Sequence, residues 1–415
     1  MPAIVALGGH QKAAFASFNG DQAVLGPHIG DLDGEASRRR YLEQLRAWLA
    51  LYGGPVSVVA HDAHPDYWTT RLAENWRDFD GQPAGKPPPL RLIPVQHHHA
   101  HVVAAMVEHR LLSTEVLGVA WDGTGWGPDG TIWGGEFLVA NSSSYRRVAR
   151  LRPFALPGGE RAARQPWRTA VSLLAQAWDD PLAAAAWMGA RAVREPAAAA
   201  AAAAGAAGGA ADAADAAAET TDSPALVSFE ARNLEACARL ATARPRSPMA
   251  PWTSSVGRLF DGLAAMILPD ARRPMSYEGQ AAAWLEAVAQ GETVAGRDYA
   301  LEWKEGVDSP PLWELDWRPL VRAVARDVER GQPAAALAAA FHSALADAIG
   351  WVADRHADLP VVLGGGVFQN RLLVEMTAAR FASRGRWLGT PGMIPVNDGG
   401  LAAGQLAVAM AVAAT

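Results

Sequence analysis

A second cysteine is missing. Cys237 is the only thiol among 415 residues, which excludes internal disulfides and zinc knuckles built from cysteine. Its setting, Leu234-Glu-Ala-Cys-Ala-Arg-Leu240, reads as one apolar helix position, and no neighbour in sequence activates it as a nucleophile. No run of Lys and Arg tracks a phosphate backbone, and 37 basic residues stand against 43 acidic ones, so nucleic acid is not an expected partner. The N-terminus lacks a basic region followed by an apolar core, and no uncharged apolar run reaches membrane-spanning length. The expectation is a cytoplasmic protein without a membrane partner. What is plentiful is core: 50% of the residues are hydrophobic, and the length admits two or three domains.

Histidine is sparse except in one place, Gln96-His97-His98-His99-Ala100-His101, between a β-rich run (Leu90 to Val95) and a helix-like run (Val102 to Leu112). Packing explains four such imidazoles poorly, since each buried ring needs partners for both nitrogens. If a helix begins near His97, then His97 and His101 share a face with Cβ atoms about 5 to 6 Å apart, where one divalent ion takes both. A solvated polar helix start is the other reading. Asp398, in Asn397-Asp-Gly-Gly400 at the start of the last helix, is either a helix cap or the carboxylate that completes a two-His site with open positions. Asp122 is a further candidate ligand.

Two distant segments read alike. Ile4 to Leu7, Lys12 to Phe18 and Gln22 to Ile29 form three strands, with Asn19-Gly20-Asp21 as a hairpin signal; Val116 to Trp121, Thr131 to Asn141 and Tyr145 to Leu151 repeat the pattern around a Gly-rich turn, Asp122 to Gly130. Helices and strands follow each copy. This implies an α/β chain of two duplicated lobes, 1–112 and 113–415, with a cleft between them and a mainly helical insertion over about 160–345 in the second. The Ala-rich stretch at 196–219 has no large apolar face and reads as a surface excursion.

Two glycine-rich loops suit an anion. Asp122-Gly123-Thr124-Gly125-Trp-Gly127 follows a strand and is either a phosphate cradle or a plain hairpin turn. In Val361-Val-Leu-Gly364-Gly365-Gly366-Val-Phe-Gln-Asn370 a buried strand enters glycines and then a helix, the usual place for ligands in α/β folds. Neither is a Walker A loop or a dinucleotide fingerprint. Two polar clusters in the insertion, Thr253 to Asp261 and Ser276-Tyr-Glu278-Gly-Gln280, suit solvent or ligand equally well.

Read together, Val95 to His101, Asp122 to Gly127, Ile132-Trp-Gly-Gly-Glu136, Ser255 to Asp261, Tyr277 to Gln280, Leu363 to Asn370 and Val396 to Gly400 resemble the HypF carbamoyltransferase family of [NiFe]-hydrogenase maturation. His28-Ile-Gly-Asp-Leu32 and His61-Asp-Ala-His-Pro-Asp-Tyr67 carry the likeness toward the N-terminus. The resemblance implies an actin-like (ASKHA) fold in both lobes. It implies His97, His101 and Asp398, with Asp122 nearby, as ligands of a divalent metal, iron or zinc, with magnesium as an additional ion. It further implies an adenosine pocket lined by Asp261, Glu278, Gly364, Gly365, Gly366 and Asn370, a phosphate loop of Asp122, Gly123, Thr124 and Gly125, and catalytic roles for Lys12, His98 and His99. The residues around Lys12 (Gln11-Lys-Ala-Ala-Phe15) depart from the family pattern.

The activity implied is transfer of carbamoyl from carbamoyl-adenylate, made from carbamoyl phosphate and ATP, to the C-terminal Cys thiol of a HypE-type partner. Alternatives on the same donor are an O-carbamoyltransferase for a small hydroxylated metabolite, a carbamoyl-phosphate hydrolase, or a nucleotide-binding scaffold. The acylphosphatase domain, zinc fingers and adenylate-forming domain of full-length members do not precede Met1, so the expectation is a transfer module of a split or shortened system, or an excised piece of a longer chain.

Overall fold

The computed structural model of the chain describes residues 3–52, 55–80, 89–191, 224–244, 246–292, 299, 301–306 and 312–414. The Ala-rich stretch 196–219 lies outside them. The apolar run β1 (Ala3–Ala6) pairs antiparallel with β2 (Ala16–Phe18), and β2 with β3 (Ala23–Leu25); β4 (Val56–Asp62) and β5 (Arg91–Val95) add parallel on the other side, in the order β3-β2-β1-β4-β5. In the second sheet β6 (Val116–Trp126), β7 (Ile132–Ala140) and β8 (Tyr145–Leu151) form the same meander. After the short β9 (Phe154–Ala155), β10 (Trp252–Thr253), β11 (Glu302–Glu305) and β12 (Trp313–Asp316) come β13 (Val361–Gly364) and β14 (Leu388–Gly389), which run parallel beside β6. The order β8-β7-β6-β13-β14, with the same strand directions, repeats that of the first sheet.

The differences from the sequence-based expectation have local causes. The first meander is shorter than its apolar runs. Lys12 takes a φ of 46° and gives its N–H to Asp31, which breaks the extended run before Ala16, and Gly26-Pro27 ends β3, since proline has no N–H to donate. Asp122 to Gly130 is not one turn. β6 and β7 stay paired through Gly125↔Trp133 and Trp126↔Ile132, and the irregularity between Trp121 and Gly125 is a bulge that lifts Asp122 out of the ladder. The mainly helical 160–345 also contributes strands, which its periodicity does not mark: β12 extends the second sheet alongside β8, β11 extends it further, and β10 pairs with β7 and β9.

Two helices cross over. The histidine helix (His97–Glu108) leaves the first sheet yet packs on β6, β7 and β13, whereas the C-terminal helix (Leu401–Ala413) packs on β1 and β4 of the first. The two helices lie against each other between the sheets, so closely that a Cβ on Gly404 would stand 1.9 Å from the Ala100 carbonyl oxygen. A Cβ on Gly118 would likewise meet Val102 at 2.3 Å. This shared apolar layer joins residues of both lobes, among them Ile4, Val102, Met106, Leu138 and Leu406. Among the described residues one helix, Ala334–Arg355, is long and apolar enough to cross a membrane, and its Leu337, Phe341, Leu345 and Ile349 are buried in the second-lobe core.

Widening this contact should loosen the whole molecule. Gly404→Val is expected to lower the unfolding free energy by about 1 to 3 kcal/mol, read as a shift in denaturant midpoint at unchanged slope. An unshifted midpoint would mean that the two helices do not touch.

Candidate metal and nucleotide site

Gln96 starts the histidine helix: its Oε1 accepts the His99 N–H at 2.8 Å, an N-cap that holds the first turn. His97 and His101 then point the same way, ring centroids 4.9 Å apart. Asp122 reaches them from the bulge after β6, and Asp398 from the start of the C-terminal helix. Both His97 and His101 place Nε2 between these carboxylates: His97 lies 3.3 Å from Asp122 Oδ2 and 3.6 Å from Asp398 Oδ1, His101 3.2 and 3.5 Å from the same atoms. One ligand atom from each of the four residues falls within 4.8 Å of the others, and all four are buried. Asp398 does not cap its helix, because the Asn397 side chain accepts the Gly399 N–H instead.

The electrostatics suit a cation. Burial alone would push the His97 imidazole down, but Asp62, Asp398 and Asp122 hold it well above its ordinary range; His101 is raised against burial by Asp122 and Asp398. Burial would raise Asp122 and Asp398, and the two histidines hold both below the usual carboxylate range. The buried His101 Nε2 makes no well-aligned hydrogen bond, although Asp122 and Asp398 oxygens lie 3.2 and 3.5 Å away, so its interaction with them is mainly that of charge. Two imidazoles and two carboxylates converging this way fit iron or zinc with positions left for other ligands. Behind them the fully buried Asp62 of β4 accepts the His97 Nδ1 proton at 2.7 Å, so Nε2 is the atom turned to the cluster, and it would give its lone pair to a metal once its proton is displaced.

The two glycine loops meet at Asp122. Its Oδ1 accepts the N–H of Gly123 at 2.8 Å and of Gly366 at 3.0 Å, while Oδ2 faces the histidines. Gly365, with a φ of 100°, passes so near Trp121 that a Cβ would lie 2.3 Å from its carbonyl oxygen. Thr124 is exposed at the outer side of the loop. The Ser255 hydroxyl lies 2.7 and 2.8 Å from the Asp122 and Gly123 carbonyls and caps the helix Val256–Ile267 that carries Arg258 and Asp261. Buried Arg258 sits 3.2 Å from Asp261 and 3.6 Å from Glu278, and burial pushes the Asp261 carboxyl up to about 7. Lys12 crosses from the first lobe to Glu278 at 3.2 Å. Burial would lower the Lys12 ammonium, but Glu278, Asp398 and Asp122 raise it. Asn370 holds two contacts: its Oδ1 caps the helix Arg371–Ser383 through Leu373 N–H, and its Nδ2 donates to His342.

His98 and His99 are not brought to the cluster. His98 turns toward Glu136, 3.9 Å away, and His99 Nε2 donates to the Asn141 carbonyl at 2.8 Å, beside the Tyr145 ring. Sequence reasoning gives no role to Asp62, Glu136 or His342, although the first two lie within motifs that carry the family resemblance. The signal for Asp62 is a carboxylate at the end of a buried strand, in His61-Asp-Ala-His64, and for Glu136 an acid inside the apolar run of β7. His342 shows none, being one polar residue on an apolar helix.

A family model described as "HypF Kae1-like domain" matches residues 1–108, and one described as "Carbamoyltransferase, Kae1-like Domain, second subdomain" matches 118–188 and 181–405. A carbamoyltransferase HypF homolog of Cupriavidus necator is 33% identical over 98% of this chain and 91% of its own length. The chain belongs to the HypF family. Carbamoyltransferase HypF of Synechocystis is 32% identical over 97% of this chain, which spans only 46% of that relative; the HypF of Rhodobacter capsulatus, 35% identical, is spanned to 47%. A solved structure of full-length HypF in its phosphate- and nucleotide-bound form superposes with a TM-score of 0.75 at 28% identity, over 99% of this chain and 55% of that one. The fold is therefore that of the HypF Kae1-like module, two lobes of the actin-like type.

His97→Ala is expected to remove bound iron or zinc, measured by elemental analysis after dialysis. Asp62→Ala should lower metal affinity roughly 10- to 100-fold while the ligands stay in place; full metal retention by His97→Ala would take that residue out of the site.

Proposed function

We propose that this chain is a carbamoyltransferase of [NiFe]-hydrogenase maturation, which takes carbamoyl from carbamoyl-adenylate and passes it to the C-terminal Cys thiol of a HypE-type partner. The observation that carries this reading is the convergence at Asp122, where a His/Asp cluster and two glycine loops from distant parts of the chain meet at one point. It is supported by family membership and by the phosphate and nucleotide bound to the full-length relative. The lobes 1–112 and 113–415 and a cytoplasmic location belong to the same reading.

Carbamoyl-adenylate is a mixed anhydride and already activated, so the main tasks are to hold it, neutralise its phosphate and admit a thiolate. The two glycine loops, 123–125 and 364–366, would flank the phosphate without Cβ obstruction, and the Lys12 ammonium would pair with its charge; the Gly123 and Gly366 N–H groups stay on Asp122 and that of Gly365 on the Val396 carbonyl. Arg258, Asp261 and Glu278 would form the adenosine side, with Asn370 supporting it through the helix that it caps. His97, His101, Asp122 and Asp398 would hold the metal, which when bound supplies a Lewis acid for the oxygens of the donor. The partner's thiolate attacks the carbamoyl carbon; the new S–C bond forms as the C–O bond to phosphate breaks, and AMP leaves with that electron pair. The thiol proton is lost before attack. Cys237 is not that nucleophile: it is buried in the helical core, burial raises its thiol, and its sulfur accepts from Arg168 at 3.3 Å.

With a HypE-type partner and carbamoyl-adenylate, or with ATP, carbamoyl phosphate and an adenylate-forming domain, mass spectrometry should show one carbamoyl group added to the partner's C-terminal cysteine. No adduct from supplied carbamoyl-adenylate would refute the reading. Release of phosphate without any acceptor would point to a hydrolase, and carbamoylation of a small hydroxylated metabolite to an O-carbamoyltransferase.

A further inference from the structure

The motif Ile132-Trp-Gly-Gly-Glu136 has no part in the chemistry above, yet it ends in a fully buried carboxylate. Glu136 Oε2 accepts the N–H groups of Gly134 and Gly135, both at 2.6 Å, and Oε1 accepts the Ser254 hydroxyl. Burial raises this carboxyl to about 7. Two buried donors face it without a hydrogen-bond partner: His98 Nε2, 3.9 Å from Oε2, and Arg147 Nη1, 3.9 Å from Oε1. The Arg147 guanidinium is itself held, 4.1 Å over the Trp133 ring and 2.8 Å from Asp129.

Which His98 nitrogen carries the proton follows from Gln96. The Gln96 Oε1 is committed to the His99 N–H, so its Nε2 is the atom that faces the Trp126 carbonyl at 3.1 Å and His98 Nδ1 at 3.2 Å. An amide nitrogen only donates, so His98 Nδ1 must accept, and the ring proton sits on Nε2, aimed at Glu136. The ring is thereby held by Gln96 at Nδ1, with its Nε2–H turned toward the Glu136 carboxylate 3.9 Å away. It is also the surface on which the glycine loop rests, since a Cβ on Gly125 would lie 2.4 Å from His98 Cε1. The other route from Glu136 leads to the same loop: Ser254 precedes Ser255, whose hydroxyl binds the Asp122 and Gly123 carbonyls.

We propose that Glu136 is a positioning residue for the transfer reaction: Gln96 locks His98 as the Nε2–H tautomer, Glu136 sets its charge before that proton and holds the Ser254–Ser255 turn, and ring and turn together fix the height of the Asp122–Gly127 loop. His98, in this arrangement, is a support for the loop and has no free lone pair with which to accept a proton from substrate. The link to catalysis rests on the reading that this loop faces nucleotide phosphate; the lock itself does not.

The test uses the full chain labelled with 15N-histidine, its zinc-loaded form, and two variants. In the unaltered protein the His98 signals, assigned by their loss in His98→Gln, should show Nε2 protonated and Nδ1 bare. Gln96→Glu places a carboxylate oxygen against Nδ1 and should move the proton there. Glu136→Gln keeps the side-chain shape but removes the charge; it should leave zinc content unchanged and speed hydrogen exchange roughly five- to tenfold in the peptide spanning Asp122–Gly127, with exchange in β1 and β4 unaltered. AMP, titrated calorimetrically, should bind more weakly to Glu136→Gln by a similar factor. A proton on Nδ1 in the unaltered protein overturns the lock, and loop exchange unchanged in both variants overturns the support role. Absence of AMP binding to the unaltered protein would instead count against the nucleotide reading, while the tautomer and exchange measurements still decide this one.

Discussion

Two buried carboxylates that face one point repel each other, and in a low-dielectric interior such a pair is stable only if positive charge stands between them. Asp122 and Asp398 are that pair. In the protein alone the imidazoles of His97 and His101 fill the role, each lying between 3.2 and 3.6 Å from both acids. The same arrangement brings four ligand atoms within 4.8 Å of one another, so the constraint that stabilises the cluster is also what would let it hold a metal ion. The surrounding contacts serve this geometry. Asp62 orients His97 from behind, and the amides of Gly123 and Gly366 anchor one oxygen of Asp122 so that the other is free to face inward.

The crossed helices explain how residues from three parts of the chain reach one place. The histidine helix begins at the end of β5 in the first sheet and lies on the second; the C-terminal helix follows β14 in the second sheet and lies on the first. Both therefore start in the cleft, with His97 at the head of one and Asp398 at the head of the other. Close packing at Gly404 and Ala100 sets their separation. Because β13 pairs parallel with β6 as far as Gly364↔Ala120, Asp122 and the Gly364–Gly366 turn are carried to the same level. In an α/β sheet such strand ends are where ligands bind.

Much of this arrangement is legible in the order of residues along the chain. The repeated strand pattern points to two similar lobes, and the recurrent order β3-β2-β1-β4-β5 and β8-β7-β6-β13-β14 shows the duplication down to strand direction. The spacing of His97 and His101 puts them on one helix face. Less legible are the ends of elements: the first meander stops early where Lys12 and Gly26-Pro27 interrupt it, and β6 runs on past Asp122 because a bulge absorbs the extra residues. Those outcomes depend on hydrogen bonds to Asp31 and on pairing with β7, which local composition does not encode.

Sequence by itself determined what depends on chemistry and short-range spacing: a single thiol too poorly placed to be a nucleophile, an i,i+4 imidazole pair, and glycines where backbone must come close to backbone. Tertiary structure alone decided which neighbours of that pair share its task. Successive helix residues turn by about 100°, so His98 and His99 leave the face of His97, one toward Glu136 and the other toward Asn141. It also decided that Asn397 caps while Asp398 stays free, and that Asp62 stands behind His97. The reason is geometric: each of these roles is set by a contact between groups far apart along the chain or competing for the same helix end, and only the packing of the two lobes brings the partners within bonding distance.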